Sequence, residues 1–513
     1  MSFFESLLAL LLAAIVLLQA SRRLSLPYPA MLAAAGVGLA LIPGAPSIGI
    51  DPKTALALFI APALVDAAFD FPIGAVRKLW RPLVALAVVA VVLTAACVAW
   101  IGVAVAGLPL YAAIALGGTV APPDAAAANA VLRTVRLPRG TMAVLRGESL
   151  LNDAMALLLF GAAVAVQEHG GIDGHIALRL GFEAPGGVLL GVGIAWLSRR
   201  LMRFTTGTLG GNLLEFVVAF GAWIVADRLG LSAVLCVVAF AMTIARGAGL
   251  SQPPRMRVHS FAVWTSVVFL LDVLAFLLMG MQARTIIGGM SPDRLIEAAR
   301  FAGLVIAAVI SVRLGWVIVY NRLAHRFALL RGDYAPVSLR HGLLVGWCGM
   351  RGLVTLATAF ALPAAFPQRD LIVLAAFGVV LATLVVQGLT LGPLIRLVKL
   401  DGDDGLGREV DAARVDLAGA ALTALEGEHS VEADHLRHVY TIAQCAVSDP
   451  PRPRAMDNRR RIALGVVRRQ RERLEELRNE DRVGADAFLM LQEELDWKEL
   501  SLSSEDDRQI DET

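Results

Sequence analysis

The chain has 513 residues, of which 57% are hydrophobic and 18% charged, with a formal net charge of +2. Soluble domains carry about 25% charged residues, so this composition excludes an ordinary soluble globule, and the near-neutral balance excludes nucleic acid as the main partner. The charge is also divided: residues 401–513 hold 16 Lys/Arg against 27 Asp/Glu, a net of −11, and the remainder carries +13. Two parts are expected, a membrane domain over 1–400 and an aqueous, helical C-terminal domain over 401–513.

Helices that cross hydrocarbon need about 20 mostly apolar residues. About thirteen such spans are expected, near 4–20, 25–43, 54–71, 82–106, 111–132, 142–167, 185–198, 212–227, 230–245, 260–282, 301–321, 340–363 and 370–395. The first, Phe3 to Ala20, lacks a basic leader and a small-residue cleavage site and reads as a retained helix. Gly and Ala are frequent in the spans, as in helices that pack closely in a bundle. Lys and Arg alternate between loops. Arg22 and Arg23, Arg77 to Arg81, Arg133 to Arg139, Arg199 to Arg203, Arg246 to Arg257, Arg322 to Arg331, and Arg396 with Lys399 mark one side; the other side is poorer in them. By the positive-inside bias the N-terminus faces outside and the tail faces the cytoplasm.

An ionisable residue inside a span is costly and defaults to a functional hypothesis. In the third span, Asp66 either lines a site or is structural. The fifth span is interrupted by Gly117-Gly-Thr-Val-Ala-Pro-Pro-Asp124. A proline in a helix interior removes a hydrogen bond and clashes with the preceding turn, and irregular backbone at membrane depth is tolerated only where it is buried or lines a cavity. In the sixth span, Glu148 and Asn152 are four residues apart, as are Ser149 and Asp153, so the four share one helix face. Two carboxylates, a hydroxyl and an amide offer oxygen ligands to a hard cation. In the tenth span Asp272 lies deep in apolar sequence, while Glu215 and Asp227 read as helix-end or inter-helix contacts. The twelfth span is interrupted at Trp347-Cys-Gly-Met-Arg351-Gly352. A buried Arg needs compensation, and Glu148 is the candidate partner of Arg351. Each feature also has a purely structural reading, but two interrupted spans in the two halves of a chain fit an inverted-repeat transporter.

No Ser-His-Asp, HExxH or Walker arrangement stands out, so an enzyme is not expected and no cofactor is implied. Cys97, Cys236, Cys348 and Cys445 have no metal-ligand spacing and read as packing residues. In the tail, Arg459 to Arg482 and Leu489 to Leu500 read as helices, preceded by a break at Asp449-Pro-Pro-Arg-Pro453.

At these residues the sequence resembles the NhaP/NHE-type sodium/proton antiporters, the monovalent cation:proton antiporters, in their bacterial branch. The resemblance covers about residues 25–395. It rests on Gly147-Glu-Ser-Leu-Leu-Asn-Asp153, on Ala121-Pro-Pro-Asp124 with the Ala-rich run after it, on Gly349-Met-Arg-Gly352, and on the stretch from Leu271 to Gln282. It implies an all-α membrane fold with inverted repeats, in which spans 5 and 12 are crossed broken helices. It implies exchange of Na+ or Li+ for H+ at Asp153, the main cation ligand and proton carrier, with Asp124, Ser149 and the Pro123 carbonyl as further Na+ ligands. Asn152 would orient the site, and Glu148 and Arg351 would form a structural ion pair. Asp66 falls where many relatives carry Glu, and Asp272 where Asn is usual, which makes Asp272 a modulator of pH response or ion choice. Pro122-Pro123 loses a hydroxyl that a Thr-Asp-Pro sequence supplies. Asn152 before Asp153 implies electroneutral one-for-one exchange. A homodimer in the bacterial inner (plasma) membrane, in contact with lipid, completes the expectation. A K+/H+ antiporter of the same fold, a passive cation channel and a membrane sensor are the alternatives.

Overall fold

The computed structural model describes the backbone of residues 3–24, 28–39, 51–69, 71, 73–124, 139–169, 174–205, 208–251, 254–327, 330, 339–398, 405–448, 453–480, 482–483 and 485–503. Asp70, the Ala-rich run after Asp124, and residues 449–452 of the Pro-rich break lie outside them. The chain forms two compact units, Met1–Gly402 and Asp403–Glu512.

The first unit is helical throughout its described elements. Its helices are α1 (Phe3–Leu24), α2 (Tyr28–Leu39), α3 (Pro52–Phe69), α4 (Ile73–Val84), α5 (Ala90–Ala106), α6 (Leu110–Val120), α7 (Arg139–His169), α8 (Gly174–Met202), α9 (Leu209–Arg228), α10 (Ala233–Ser251), α11 (Pro254–Gly288), α12 (Pro292–Arg326), α13 (Leu339–Trp347), α14 (Leu353–Phe360), α15 (Arg369–Ala382) and α16 (Gly388–Val398). A π-helical turn, Ala85–Val89, joins α4 to α5, and another, Thr383–Gln387, joins α15 to α16. A described helix falls within each of the thirteen expected stretches, residues 125–132 of the fifth lying outside the described residues. Length and hydropathy alone single out seven long spans among the described residues, with shorter apolar helices at Leu11–Ser21, Tyr28–Gly38, Thr54–Phe69, Leu110–Val120 and Ala233–Arg246. Large apolar side chains such as Leu12, Trp100, Leu189, Trp196 and Leu213 face outward. Water would penalise that surface by about 25 cal/mol per Å2; the hydrocarbon of a bilayer does not. The protein is an all-α, multi-pass membrane protein.

The helices of this unit pack in two groups. One contains α5, α6, α7, α12, α13 and α15; the other contains α2, α3, α8, α9, α10 and α11. The half-helix α14 touches both, through α15 and α6 on one side and α3 and α11 on the other. Within the second group, α2 and α11 cross at Gly36 and Gly280. A Cβ on Gly280 would strike the Ala33 carbonyl and the Gly36 backbone, and one on Gly36 would strike the Leu277 carbonyl. Glycine at both positions lets the two backbones meet, as small residues do between membrane helices.

The second unit contains α17 (Gly405–Ala424), α18 (Val431–Ser448), α19 (Pro453–Asn479) and α20 (Ala485–Leu502). Val467, Leu474, Phe488 and Leu495 bury one face of the α19–α20 hairpin, and the Arg478 guanidinium lies 4.4 Å from the centre of the Phe488 ring. Arg471 bonds Asp496 and Glu499 across the hairpin. Those hydrogen bonds, to Asp496 first and Glu499 next, hold its guanidinium above the ordinary arginine range.

The α2–α11 crossing gives a paired test. Gly280→Leu is expected to force the helices apart and destabilise the purified protein by at least the 1–3 kcal/mol typical of overpacking. Gly38→Leu, at an exposed glycine with open space around it, is expected to leave the melting temperature unchanged. Thermal denaturation in detergent followed by size-exclusion fluorescence compares them.

Candidate ion-binding site

The site is built where two helices stop. Pro122 and Pro123 have no N–H to donate, and α6 ends at Val120, leaving Pro122–Asp124 outside helix. On the facing element, α13 ends at Trp347 and α14 begins at Leu353, so Cys348–Gly352 is also non-helical. The two irregular segments bond directly: the Asp124 N–H donates to the Met350 carbonyl at 2.7 Å.

Each segment also supplies the charge that the other's helix end requires. The last carbonyls of a helix carry partial negative charge and the first N–H groups partial positive charge. Arg351 donates through Nε to the Val120 carbonyl at 3.1 Å and through Nη2 to the Ala121 carbonyl at 3.1 Å, covering the C-terminus of α6. Its Nη1 donates to the Gly349 carbonyl, and its backbone N–H to Thr383 Oγ1 at 3.1 Å. Conversely, Asp124 Oδ2 accepts the Leu353 N–H at 3.2 Å, at the N-terminus of α14. Gly352 makes that approach possible, because a Cβ there would fall on the Asp124 carboxylate.

The polar face of α7 meets this crossing. Asn152 is fully buried and donates through Nδ2 to the Pro123 carbonyl at 2.9 Å. A carbonyl has two lone pairs, so Pro123 keeps one, and Asn152 Oδ1 has no partner among the described residues. Asp153, one residue on, is buried and lies close enough to Asp124 for their charges to interact. Among the described residues no hydrogen-bond donor reaches its carboxylate. Ser149 is half-buried one turn earlier on the same face.

The buried ion pair differs from the sequence expectation. Glu148 is 1% exposed and binds Arg313, not Arg351, with Nη1 to Oε1 at 2.5 Å and Nη2 to Oε2 at 3.1 Å. Arg313 comes from α12, inside the apolar run that crosses the first helix group. The physical reason is competition. Arg351 sits in the break and finds unpaired helix carbonyls at hand, whereas Arg313 lies within a continuous helix whose backbone is already bonded, so its fork is left for a carboxylate. An arginine in the middle of the eleventh span was visible in the sequence by the same rule that singled out Arg351.

Asp66 and Asp272 occupy different surroundings. Asp66 is half-buried on α3 and lines a cavity of about 400 Å3 together with Glu215, Arg257, Ser260, Phe261 and Trp264. Glu215 accepts hydrogen bonds from the Ser260 hydroxyl and from Trp264 Nε1, the latter at 3.0 Å, tying α9 to α11. Asp272 is half-buried on α11, a helix that packs against α3 and α14. Among the described residues, no group of three or more His, Cys, Asp or Glu could hold a metal ion. The crossing instead gathers the Asp124 and Asp153 carboxylates, the Pro123 carbonyl and the Asn152 amide, oxygens that suit a hard, weakly charged cation.

Two interrupted helices that exchange caps inside an apolar bundle, with carboxylates at the crossing, define a secondary transporter of the discontinuous-helix class. The family model described as "Sodium/hydrogen exchanger, transmembrane" matches residues 8–397, and the chain belongs to that family of antiporters. An uncharacterised Na+/H+ exchanger of Mycobacterium tuberculosis is 30% identical, the match covering 97% of this chain and 95% of that protein. The Na+/H+ antiporter NhaS2 of Synechocystis is 27% identical over 84% of this chain and 77% of its own length. A sodium, potassium, lithium and rubidium/H+ antiporter of Bacillus subtilis is 29% identical over 71% of this chain and 57% of its own length. The fold is that of the sodium proton antiporter MjNhaP1 from Methanocaldococcus jannaschii, with a TM-score of 0.59 at 17% identity, covering 78% of this chain and 100% of that one.

Removing one partner of a buried ion pair leaves an uncompensated charge. Arg313→Met is therefore expected to destabilise the purified protein by about 3–5 kcal/mol. The double variant Glu148→Gln, Arg313→Met should recover part of that loss. Melting temperatures of the single and double variants, measured together, test the pairing; strictly additive losses would contradict it.

Proposed function

We propose that the protein exchanges one Na+ or Li+ for one H+ at Asp153, by direct competition of cation and proton for the same carboxylate. The observation that carries the reading is the state of Asp153: buried, beside the charge of Asp124, and without a hydrogen-bond donor among the described residues. A bare carboxylate in such surroundings is costly, and either a proton or a monovalent cation removes the cost. Asp124, Ser149, the Pro123 carbonyl and Asn152 supply the remaining oxygens to the cation.

The charges at the crossing support the one-for-one ratio. Glu148 cancels Arg313, and Arg351 offsets one of the two aspartates, so a single negative charge is left over. One monovalent ion or one proton neutralises it, and both loaded states then carry the same charge. Only the neutralised site crosses between the two sides, because the empty site keeps an unpaired charge that is costly to carry through the bilayer. The carrier is the helix group holding α6, α7, α13 and α14, which moves against the other group. The second unit is a cytoplasmic domain, the N-terminus faces outside, and the protein works as a homodimer in the bacterial inner membrane. Potassium is the second candidate cation, favoured by the printed ion range of the Bacillus subtilis relative.

The test is a fluorescent pH readout in proteoliposomes, with Na+, Li+ and K+ added in turn. The wild type is expected to move protons on addition of Na+ or Li+, and Asp153→Asn to give no exchange above empty vesicles; transport retained by that variant would remove the central role of Asp153. Clamping the membrane potential with K+ and valinomycin checks the ratio: an electroneutral exchanger keeps its rate when the potential is changed. Cation currents uncoupled from pH would point to a channel.

A further inference from the structure

Gln387 stands in the π-helical turn that joins α15 to α16. It is 1% exposed, and neither Oε1 nor Nε2 has a hydrogen-bond partner among the described residues. Buried side-chain amides are ordinarily bonded, and an exception calls for an explanation. An apolar side chain of similar size would be cheaper at this position unless the amide has work to do.

Its neighbours along the helix say where it faces. Four residues earlier, Thr383 Oγ1 accepts the backbone N–H of Arg351 at 3.1 Å. Three residues later, Thr390 Oγ1 accepts Trp347 Nε1 at 3.0 Å. Residues at these spacings share a helix face. Gln387 therefore lies between two threonines that hold opposite ends of the Cys348–Gly352 break. Inside the break, the Cys348 N–H reaches the Leu344 carbonyl at 2.9 Å, the Gly349 carbonyl takes Arg351 Nη1, and the Met350 carbonyl takes the Asp124 N–H at 2.7 Å. The N–H groups of Gly349 and Met350 enter no hydrogen bond among the described residues. A side-chain amide, which offers both a donor and an acceptor, is matched to such a segment.

We propose that Gln387 is a positioning residue for the cation site: its amide completes the hydrogen bonding of the Cys348–Met350 backbone through one ordered water, and thereby sets where Arg351 and Asp124 meet the two helix ends. Gln387 touches no transported ion in this arrangement. It acts through the Met350 carbonyl, which holds the Asp124 backbone, and through the register of Arg351 on the carbonyls of Val120 and Ala121. The inference rests on exchange at the Asp124–Asp153 site.

The variants are Gln387→Met, of similar shape without the amide, and Gln387→Asn, which keeps the amide on a shorter stem. Two readouts are taken in parallel on the full-length protein: Na+-dependent proton exchange in proteoliposomes, and the rise in melting temperature on adding Na+ in detergent. Loss of a group that orients metal ligands costs about tenfold or more in affinity, so Gln387→Met is expected to raise the apparent KM for Na+ about tenfold while the maximal rate stays within about twofold. Gln387→Asn is expected to restore at least part of the affinity. Wild-type KM in Gln387→Met, or equal impairment of both variants, overturns the assignment, because the second result marks a packing effect. Should Gln387→Met not fold, Gln387→Glu decides in its place. It keeps the acceptor and the size and loses its donor only once the carboxyl ionises, so the KM ratio to wild type should widen as pH rises; a constant ratio of one across pH overturns the proposal. Wild-type vesicles run alongside separate the two claims. No exchange in the wild type sinks the proposed function, whereas normal exchange with unaltered variants sinks only the role of Gln387.

Discussion

Backbone polar groups that leave a helix at membrane depth have no water to turn to, and each one unmet costs several kcal/mol. Two helices of this protein break there, and what makes both breaks tenable is an exchange of partners. Arg351 from the second break covers the final carbonyls of α6, while Asp124 from the first receives an N–H at the start of α14. Neither break could exist alone. Without Arg351 the carbonyls of Val120 and Ala121 would lose these donors; without Asp124 the Leu353 N–H would lose its acceptor. The main-chain bond from Asp124 to Met350 fixes the distance at which these charges act.

The exchange of caps has an electrostatic consequence. A fully buried arginine and an aspartate have been drawn into the bundle to satisfy backbone, and they nearly neutralise each other with the opposed helix ends. Glu148 and Arg313 do the same one layer away. Asp153 is then the acidic group at the crossing with no structural duty: no cap to make and no described donor to accept. In the mechanism proposed above it is the carboxylate whose charge is balanced from outside the protein, by a small cation or by a proton. Asn152 contributes in the opposite sense. Its amide carries no charge, yet it tethers α7 to the Pro123 carbonyl and keeps an oxygen free.

Much of this was legible in the sequence because it depends on local chemistry. Two prolines in an apolar run forbid a continuous helix wherever the chain folds, and the i, i+4 spacing of Glu148 with Asn152 and of Ser149 with Asp153 forces a common face. Partners were less legible. Glu148 was expected to meet Arg351, but which arginine faces a glutamate is decided by how separate helices pack, and spacing within one helix carries no record of that. Arg313 went unnoticed although it obeyed the same rule as Arg351, since it stands in an unbroken span with no glycine or proline to draw attention. Gln387 was invisible for a different reason. A lone amide within an apolar span carries no sign of what it faces, and only its burial in a π-helical turn between two bonded threonines gives it meaning.

The packing also bears on how such a site could face two sides of a membrane. Glycines allow backbones to touch at α5–α6, through Gly117 and Ala95, and at α6–α7, through Gly118 and Ala156. They do so again at α2–α11 through Gly36 and Gly280, and at α8–α10 through Gly187 with Ser232 and Gly191 with Cys236. Each of these contacts falls inside one helix group or the other, and among the described residues none joins the two. Interdigitated backbone contacts resist sliding, whereas side-chain contacts can be exchanged, so the shift of one group against the other proposed above would break none of these glycine contacts. The shared half-helix α14 contacts both groups, with Asp124 at its N-terminus. A relative shift of the groups would therefore change what surrounds the carboxylates while leaving the exchanged caps intact, since Arg351, Asp124, Val120 and Met350 all travel together.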